Sequence, residues 1–246
     1  MSQRQIGIIL QARMGSTRLP GKVLRVLAGK PMIQWIIERL QTCKKVRILI
    51  LASSTSDSDT PLVELAKKLS VEIFRGSESD VLDRYYHCAV PYHLDDIIRA
   101  TGDNPFVDPE ACDELIEFYN REKLDYASFS TEENDGFPVG VGVEIFSFTA
   151  LEKCWREGHA PRHREHVTEY ILENPKIFKQ GRIPAPILKR APELSLTVDT
   201  MDQFEAAKQI YTNYFNQHSF VPLPVSWAIE FLRKTKGALP GKSLRS

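Results

Sequence analysis

Ile6–Lys22 reads IGIILQARMGSTRLPGK, an unbroken apolar run that ends in a loop rich in glycine, hydroxyls and cations. A half-solvated strand alternates apolar and polar residues; Ile6–Leu10 does not, so both of its faces must be covered. The run is far shorter than the ~20 residues a membrane-spanning helix needs. It leads into a charged loop and not into a small-residue cleavage site.

The same kind of segment returns along the chain, each time followed by a helical pattern. VRILILAS, VEIFRG, DDIIRAT, DYASFS, VGVEIFS and LSLTVDT read as further strands. Helices are expected from Pro31 to Cys43, Leu62 to Leu69, Val81 to Val90, Pro109 to Glu122, near Phe148, over HVTEYILEN, from Met201 to Tyr214 and from Val225 to Lys234. Alternation of this kind implies right-handed βαβ crossovers and an α/β fold, with a mostly parallel sheet sandwiched between helical layers. A single domain over residues 1–236 is expected, with GALPGKSLRS at 237–246 as a flexible tail.

Composition narrows the function classes. The chain has 246 residues, 42% hydrophobic and 26% charged, with 32 Lys plus Arg against 32 Asp plus Glu. Disorder needs less hydrophobicity and an unbalanced charge. A protein that grips nucleic acid by bulk charge is usually basic, so no nucleic-acid partner is expected, and no membrane partner either. Cys43, Cys88, Cys112 and Cys154 form no CxxC pair, which excludes a zinc ribbon and points to free thiols in a reducing cytoplasm.

Open parallel sheets bind ligands at the carboxyl ends of their strands. Gln11–Lys22 sits at such an end and offers Gly15, Gly21, Ser16, Thr17, Arg13, Arg18 and Lys22. Glycines let backbone N–H groups approach phosphate, Arg grips its oxygens bidentately and Lys acts as a point charge. The first acidic residue is Glu38, so the loop is locally basic in a neutral protein. It suits a polyphosphate such as a nucleoside triphosphate. It is neither a GxGxxG loop nor a Walker loop, since Val23 follows Lys22. The competing reading is a solvated turn.

Asp103 in TGDNP and Asp199 in SLTVDT both fall at strand ends. Mg²⁺ favours one or two protein carboxylates plus substrate phosphates, which makes these two a candidate metal pair. Taken singly, either could instead cap a turn or a helix. Ser53 at the end of VRILILAS and Arg84 in GSESDVLDRYYHC are further candidate nucleotide contacts, while Asp80 and Asp108 read as helix caps. Gly142 and Glu144, with Arg164 and His166 of HAPRHREHVTEY, are candidate sugar contacts. His159, His163 and His166 could ligate a metal by spacing, but Pro161 interrupts the helical step and no Cys is near.

IILQARMGSTRLPGKVL, GKPMI, DVLDRY, RATGDNPFVDP, GVGVEIFS, REHVTEYI and LTVDTMDQFEAAKQIY occur in that order from Ile6 to Tyr214. This series resembles the cytidylyltransferases that make CMP-activated acid sugars, and most of all their spore-coat polysaccharide branch. The resemblance implies a nucleotide-diphospho-sugar-transferase fold, CTP and a sugar as substrates, Mg²⁺ as cofactor and a homodimer. By position, Arg13, Ser16, Arg18 and Lys22 would hold the triphosphate, Gln11 and Ala12 would lie at the base, and Asp103 and Asp199 would hold Mg²⁺. Lys22, Arg13 and Asp103 would carry the catalysis. Val23 stands where sialic-acid synthetases carry Asn. The alternatives are a glycosyltransferase that consumes a nucleotide sugar, for which a DxD pair is the usual mark, and a nucleotide-binding partner without activity.

Overall fold

The structure is a computed structural model, and it describes residues 4–219 and 222–235. The expected tail at 237–246 lies outside them. Nine strands form among the described residues: β1 (Ile6–Gln11), β2 (Val26–Leu27), β3 (Lys30–Pro31), β4 (Ile48–Ser54), β5 (Glu72–Gly76), β6 (Asp96–Thr101), β7 (Tyr126–Phe129), β8 (Glu144–Ser147) and β9 (Gln180–Ile183). Seven of them build one sheet in the order β5-β4-β1-β6-β8-β7-β9, while β2 and β3 make a small hairpin. β1 lies in the middle, parallel to both β4 and β6. β8 is antiparallel to β6 and to β7, so the sheet is mixed but mostly parallel.

The helices are α1 (Met32–Leu40), α2 (Thr60–Lys68), α3 (Val81–Ala89), α4 (Pro109–Glu122), α5 (Phe148–Glu157), α6 (Pro161–His166), α7 (Glu169–Glu173), α8 (Met201–Phe215) and α9 (Val225–Thr235). Strand periodicity assigns them to two layers. Ile8 and Leu10 of β1 face a core shared with α1, α2, α4, α8 and α9. Ile9, one residue out of phase, faces the other core with α3, α5 and α7. Successive strand side chains point to opposite faces, so one apolar run feeds both cores. Asp80 and Asp108 cap α3 and α4 by accepting backbone N–H groups, as their positions imply. All four cysteines are free thiols. Among the described residues, no helix is long and apolar enough to cross a membrane.

Three segments differ from the sequence reading. LSLTVDT is extended but joins no ladder: Ser195 bridges Val139, and Val198 N–H donates to the Asp103 carbonyl. β6 is already paired on both sides, by β1 and β8, so the segment crosses the sheet end instead. β9 was not expected, because an edge strand reading Gln-Gly-Arg-Ile has no apolar alternation. HVTEYILEN is not one helix. Val167 breaks it at φ 57° and ψ −54°, with Thr168 N–H donating to the His166 carbonyl. That is the rare, strained γ-turn with positive φ, here on a β-branched residue.

Two buried polar groups tie the layers together. Arg39 is 1% exposed and donates to the carbonyls of Val107 and Leu223, each at 2.7 Å, so α1 holds both the segment after β6 and the approach to α9. Asp59 accepts from Met14 N–H at 2.7 Å, from Ser54 N–H at 3.0 Å and from the hydroxyls of Ser53 and Ser54. This pins the loop after β1 to the end of β4. Burial alone would raise the Asp59 pKa, but the hydrogen bonds from Ser54, Met14 and Ser53 outweigh it and hold the carboxyl below its ordinary value.

A carboxyl with a lowered folded-state pKa stabilises the fold above its unfolded value and loses that contribution as pH falls through the folded value. Asp59→Asn is therefore expected to lower the unfolding free energy by about 2 kcal/mol at pH 7. The gap should close as pH falls below the ordinary value of 3.8. Urea unfolding of both proteins between pH 7 and pH 3 checks this; a gap that stays constant contradicts it.

Candidate active site

The loop after β1 is shaped by its own backbone and then fastened from afar. Ser16 Oγ accepts from Leu19 N–H at 3.3 Å, and Gly21 takes φ 66°, a conformation that favours glycine. The turn delivers Lys22 to the start of a short 3-10 helix, Lys22–Leu24. Lys22 Nζ donates to the Val198 carbonyl at 2.9 Å and lies 3.1 Å from Asp199 Oδ1 and 3.7 Å from Asp103 Oδ2. Arg18 Nη2 is 2.9 Å from Asp199 Oδ1. The ammonium is only 12% exposed, so these attractions are poorly screened.

Each carboxylate is presented by neighbours that take over the bland alternatives. Thr101 Oγ1 donates to Asp103 Oδ1, and Asn104 Nδ2 donates to Thr101 Oγ1 at 2.9 Å. The cap of α8 falls to Thr200, whose hydroxyl accepts from Gln203 N–H, while Gln203 Oε1 accepts from Asp199 N–H at 2.7 Å. The Asp199 side chain is thereby left to face Lys22 and Arg18.

Gln11, Ala12, Arg13, Gly15, Ser16, Arg18, Lys22, Asp103 and Asp199 all line one cavity of about 410 Å³. Glu165 and His166 at the end of α6 close over it. Arg13 Nη1 lies 3.2 Å from Glu78 Oε1 at the rim. A second cavity of about 470 Å³ opens beside it over β6, β7, β8 and β9. Gly142 and Glu144 line this one, with Ser128, Asn104 and Arg182. His166 thus reaches the first cavity and not the second.

Arg99 and Thr101 line both cavities. Glu144 Oε2 accepts from Arg99 Nη1 at 2.7 Å, and its other oxygen accepts from Tyr126 Oη at 2.6 Å and Thr168 Oγ1 at 3.1 Å. Burial opposes the Arg99 charge, but Glu144 more than offsets it and the pKa is raised. Burial, reinforced by Glu144, pushes the Tyr126 phenol well above its ordinary value. Sequence reasoning passed over Arg99; its signal was a lone cation inside the apolar strand DDIIRAT.

Three expected contacts are corrected. Ser53 is fully buried and spends its hydroxyl on Asp59, so it faces no cavity. Arg84 is also fully buried under the sheet end, with Nη1 on the Ser77 carbonyl at 2.6 Å, and burial lowers its pKa. Arg164 grips Asp80 Oδ2 through Nε and Nη2 at 2.7 and 2.5 Å, which fastens α6 to the cap of α3 rather than reaching a sugar. His163 pairs with Glu173 at 2.9 Å, and among the described residues no group of three His, Cys, Asp or Glu could hold a metal. Asp103 and Asp199 remain as a converging carboxylate pair, a donor set that fits Mg²⁺ when phosphate oxygens complete the shell.

A mixed, mostly parallel sheet between two helical layers, with a cation-rich loop after β1, is the architecture of nucleotide-diphospho-sugar transferases. The comparisons narrow this to one family. The cytidylyltransferase family model matches residues 7–224. The chain is 38% identical over 229 residues to an uncharacterized protein of Methanocaldococcus jannaschii, covering 93% of this chain and 90% of that one. It is 36% identical over 208 residues to the spore coat polysaccharide biosynthesis protein SpsF of Bacillus subtilis, covering 82% and 85%. The structure of a cytidylyltransferase from Leptospira borgpetersenii superposes with a TM-score of 0.86 at 29% identity, covering 99% of this chain and all of the other. The chain belongs to the cytidylyltransferase family and is a nucleotidyltransferase by that membership.

Gly140 lines the second cavity. It sits at φ 90°, and an added Cβ would lie 2.8 Å from both Asn104 Oδ1 and Thr197 N. Gly140→Ala is expected to destabilise the protein by about 1–3 kcal/mol through backbone strain and this clash. Urea denaturation measures the loss; an unchanged midpoint contradicts the account.

Proposed function

We propose that the protein transfers CMP from CTP to the hydroxyl of an acidic sugar, with Mg²⁺, and releases pyrophosphate. The observation that carries this is Lys22, set between Asp103 and Asp199 beneath the Arg13–Arg18 loop, in a cavity that abuts a second one. The first cavity takes the nucleotide, with Gln11 and Ala12 toward the base and Arg13, Ser16, Arg18 and Lys22 along the phosphates. The second takes the acceptor. Arg182 lines the second cavity and forms no ion pair with the described residues. The uncompensated cation favours an acceptor that brings its own negative charge. The Bacillus relative's place in polysaccharide biosynthesis is consistent with a sugar.

The chain's own residues act by positioning and by field. The acceptor oxygen forms a bond to the α-phosphorus in line, and the opposite bond to the bridging oxygen breaks. Pyrophosphate leaves with that electron pair, and the hydroxyl proton passes to solvent. Holding both reactants in adjoining cavities turns a bimolecular encounter into a local one. Lys22, Arg13 and Arg18 stabilise the charge that grows on the departing pyrophosphate. Mg²⁺ on Asp103 and Asp199 would neutralise phosphate oxygens and make the acceptor hydroxyl easier to ionise. A homodimer belongs to the same reading and is checked by sedimentation velocity.

Pyrophosphate release is measured with each of the four nucleoside triphosphates, Mg²⁺ and a panel of acidic and neutral sugars. Release with CTP and an acidic sugar, abolished by a chelator, is the expected result. Release with another triphosphate but not CTP overturns the nucleotide assignment. Asp103→Asn should reduce turnover at least about 100-fold with the fold intact by circular dichroism. Near-normal turnover from folded Asp103→Asn protein overturns the metal assignment.

A further inference from the structure

Two cavities that hold two reactants must meet where the reacting atoms meet. Arg99 supplies the cation at that junction, and among the described residues Thr101 is the other one that lines both cavities. Strand register explains the placement. Arg99 pairs with Ile9 of β1 on one side and with Glu144 of β8 on the other. Two residues further on, Thr101 pairs with Gln11 at the mouth of the nucleotide cavity. Side chains two apart share a face, spaced by roughly 7 Å. Arg99 therefore lies one pleat below the cavity mouth, and its guanidinium rises between the two spaces.

The guanidinium is held rather than spent. Glu144 takes Nη1, while Nε is buried and has no hydrogen-bond partner. Glu144 is itself clamped by Tyr126 and by Thr168, the residue delivered by the strained turn at Val167. A rigid fork whose salt bridge is about one-fifth exposed at both ends keeps a guanidinium edge toward the two cavities, prepared for an anion that arrives with the substrate. Lys22 and Arg18 of the phosphate loop are instead engaged by Asp199.

We propose that Arg99 meets the α-phosphate of the bound nucleotide at the point where the acceptor–phosphorus bond forms, with Glu144 as its positioning residue; this rests on the nucleotide reading above. The β- and γ-phosphates are left to the loop. The two sets of cations then divide the triphosphate between them, Arg99 on the part that is transferred and the loop on the part that leaves.

That division is testable without knowing the acceptor. Binding of CMP, of CTP with Mg²⁺ and of pyrophosphate is measured by calorimetry on the wild-type protein and on Arg99→Met. Removing the cation leaves Glu144 buried without its partner, so the double variant Arg99→Met/Glu144→Gln is measured alongside and covers a failure of the single variant to fold. The expected result is a loss of about tenfold to a hundredfold in affinity for CMP and CTP. Pyrophosphate affinity should be unchanged, and Arg99→Lys should recover part of the loss. Unchanged CMP and CTP affinity in the variants overturns the proposal. So does an equal loss for all three ligands, which would make Arg99 a purely structural residue. A wild-type protein that binds pyrophosphate but neither CMP nor CTP overturns the nucleotide reading itself, and the role of Arg99 falls with it.

Discussion

The ammonium of Lys22 is the charge around which the site is arranged. It draws together a loop from the start of the chain, a strand end from the middle and an extended segment 177 residues away. Asp103 and Asp199 would repel each other if brought this close without a cation between them, at an electrostatic cost that rises steeply as water is excluded. The Val198 carbonyl completes the contact, so the crossing segment is fixed by its backbone as well as by its charge. The pair is thereby stable as a protein element and still open to a substrate that brings phosphates of its own.

Rigidity around that point comes from buried polar groups whose partners are mostly backbone. Asp59 holds Met14 and the end of β4, and Arg39 holds the segment after β6 and the approach to α9. Each is costly to bury alone and tolerable only with its donors or acceptors matched. The loop after β1 is therefore far less free than its glycines and polar side chains suggest.

Two strained backbone positions lie beside the candidate site. Gly140 adopts positive φ against Asn104 and Thr197, and Val167 adopts it between α6 and α7. Backbone conformations of this kind survive only when surrounding contacts over-determine them. At Val167 those contacts turn His166 toward the nucleotide cavity and Thr168 toward Glu144. A continuous helix over the same residues could not present both.

The residue order alone was sufficient for the alternating strands and helices, the two-sided burial of the first strand and the concentration of cations in the loop that follows it. Those features depend on periodicity, turn chemistry and local charge, which act over a few neighbouring residues. It was sufficient too for the resemblance to cytidylyltransferases, because that rests on short motifs in a set order. Tertiary structure decided the rest. LSLTVDT has the composition of a strand yet crosses the sheet end, because β6 had no free edge to offer. Ser53 and Arg164 have the right chemistry for ligand contacts but were taken by Asp59 and Asp80, and Arg84, with one donor on Ser77 and two buried without a partner, lines neither cavity. Arg99 looked like an ordinary strand residue until β8 placed Glu144 opposite it. A side chain's partner depends on which distant strand lies beside it and in what register, and no local pattern encodes that choice.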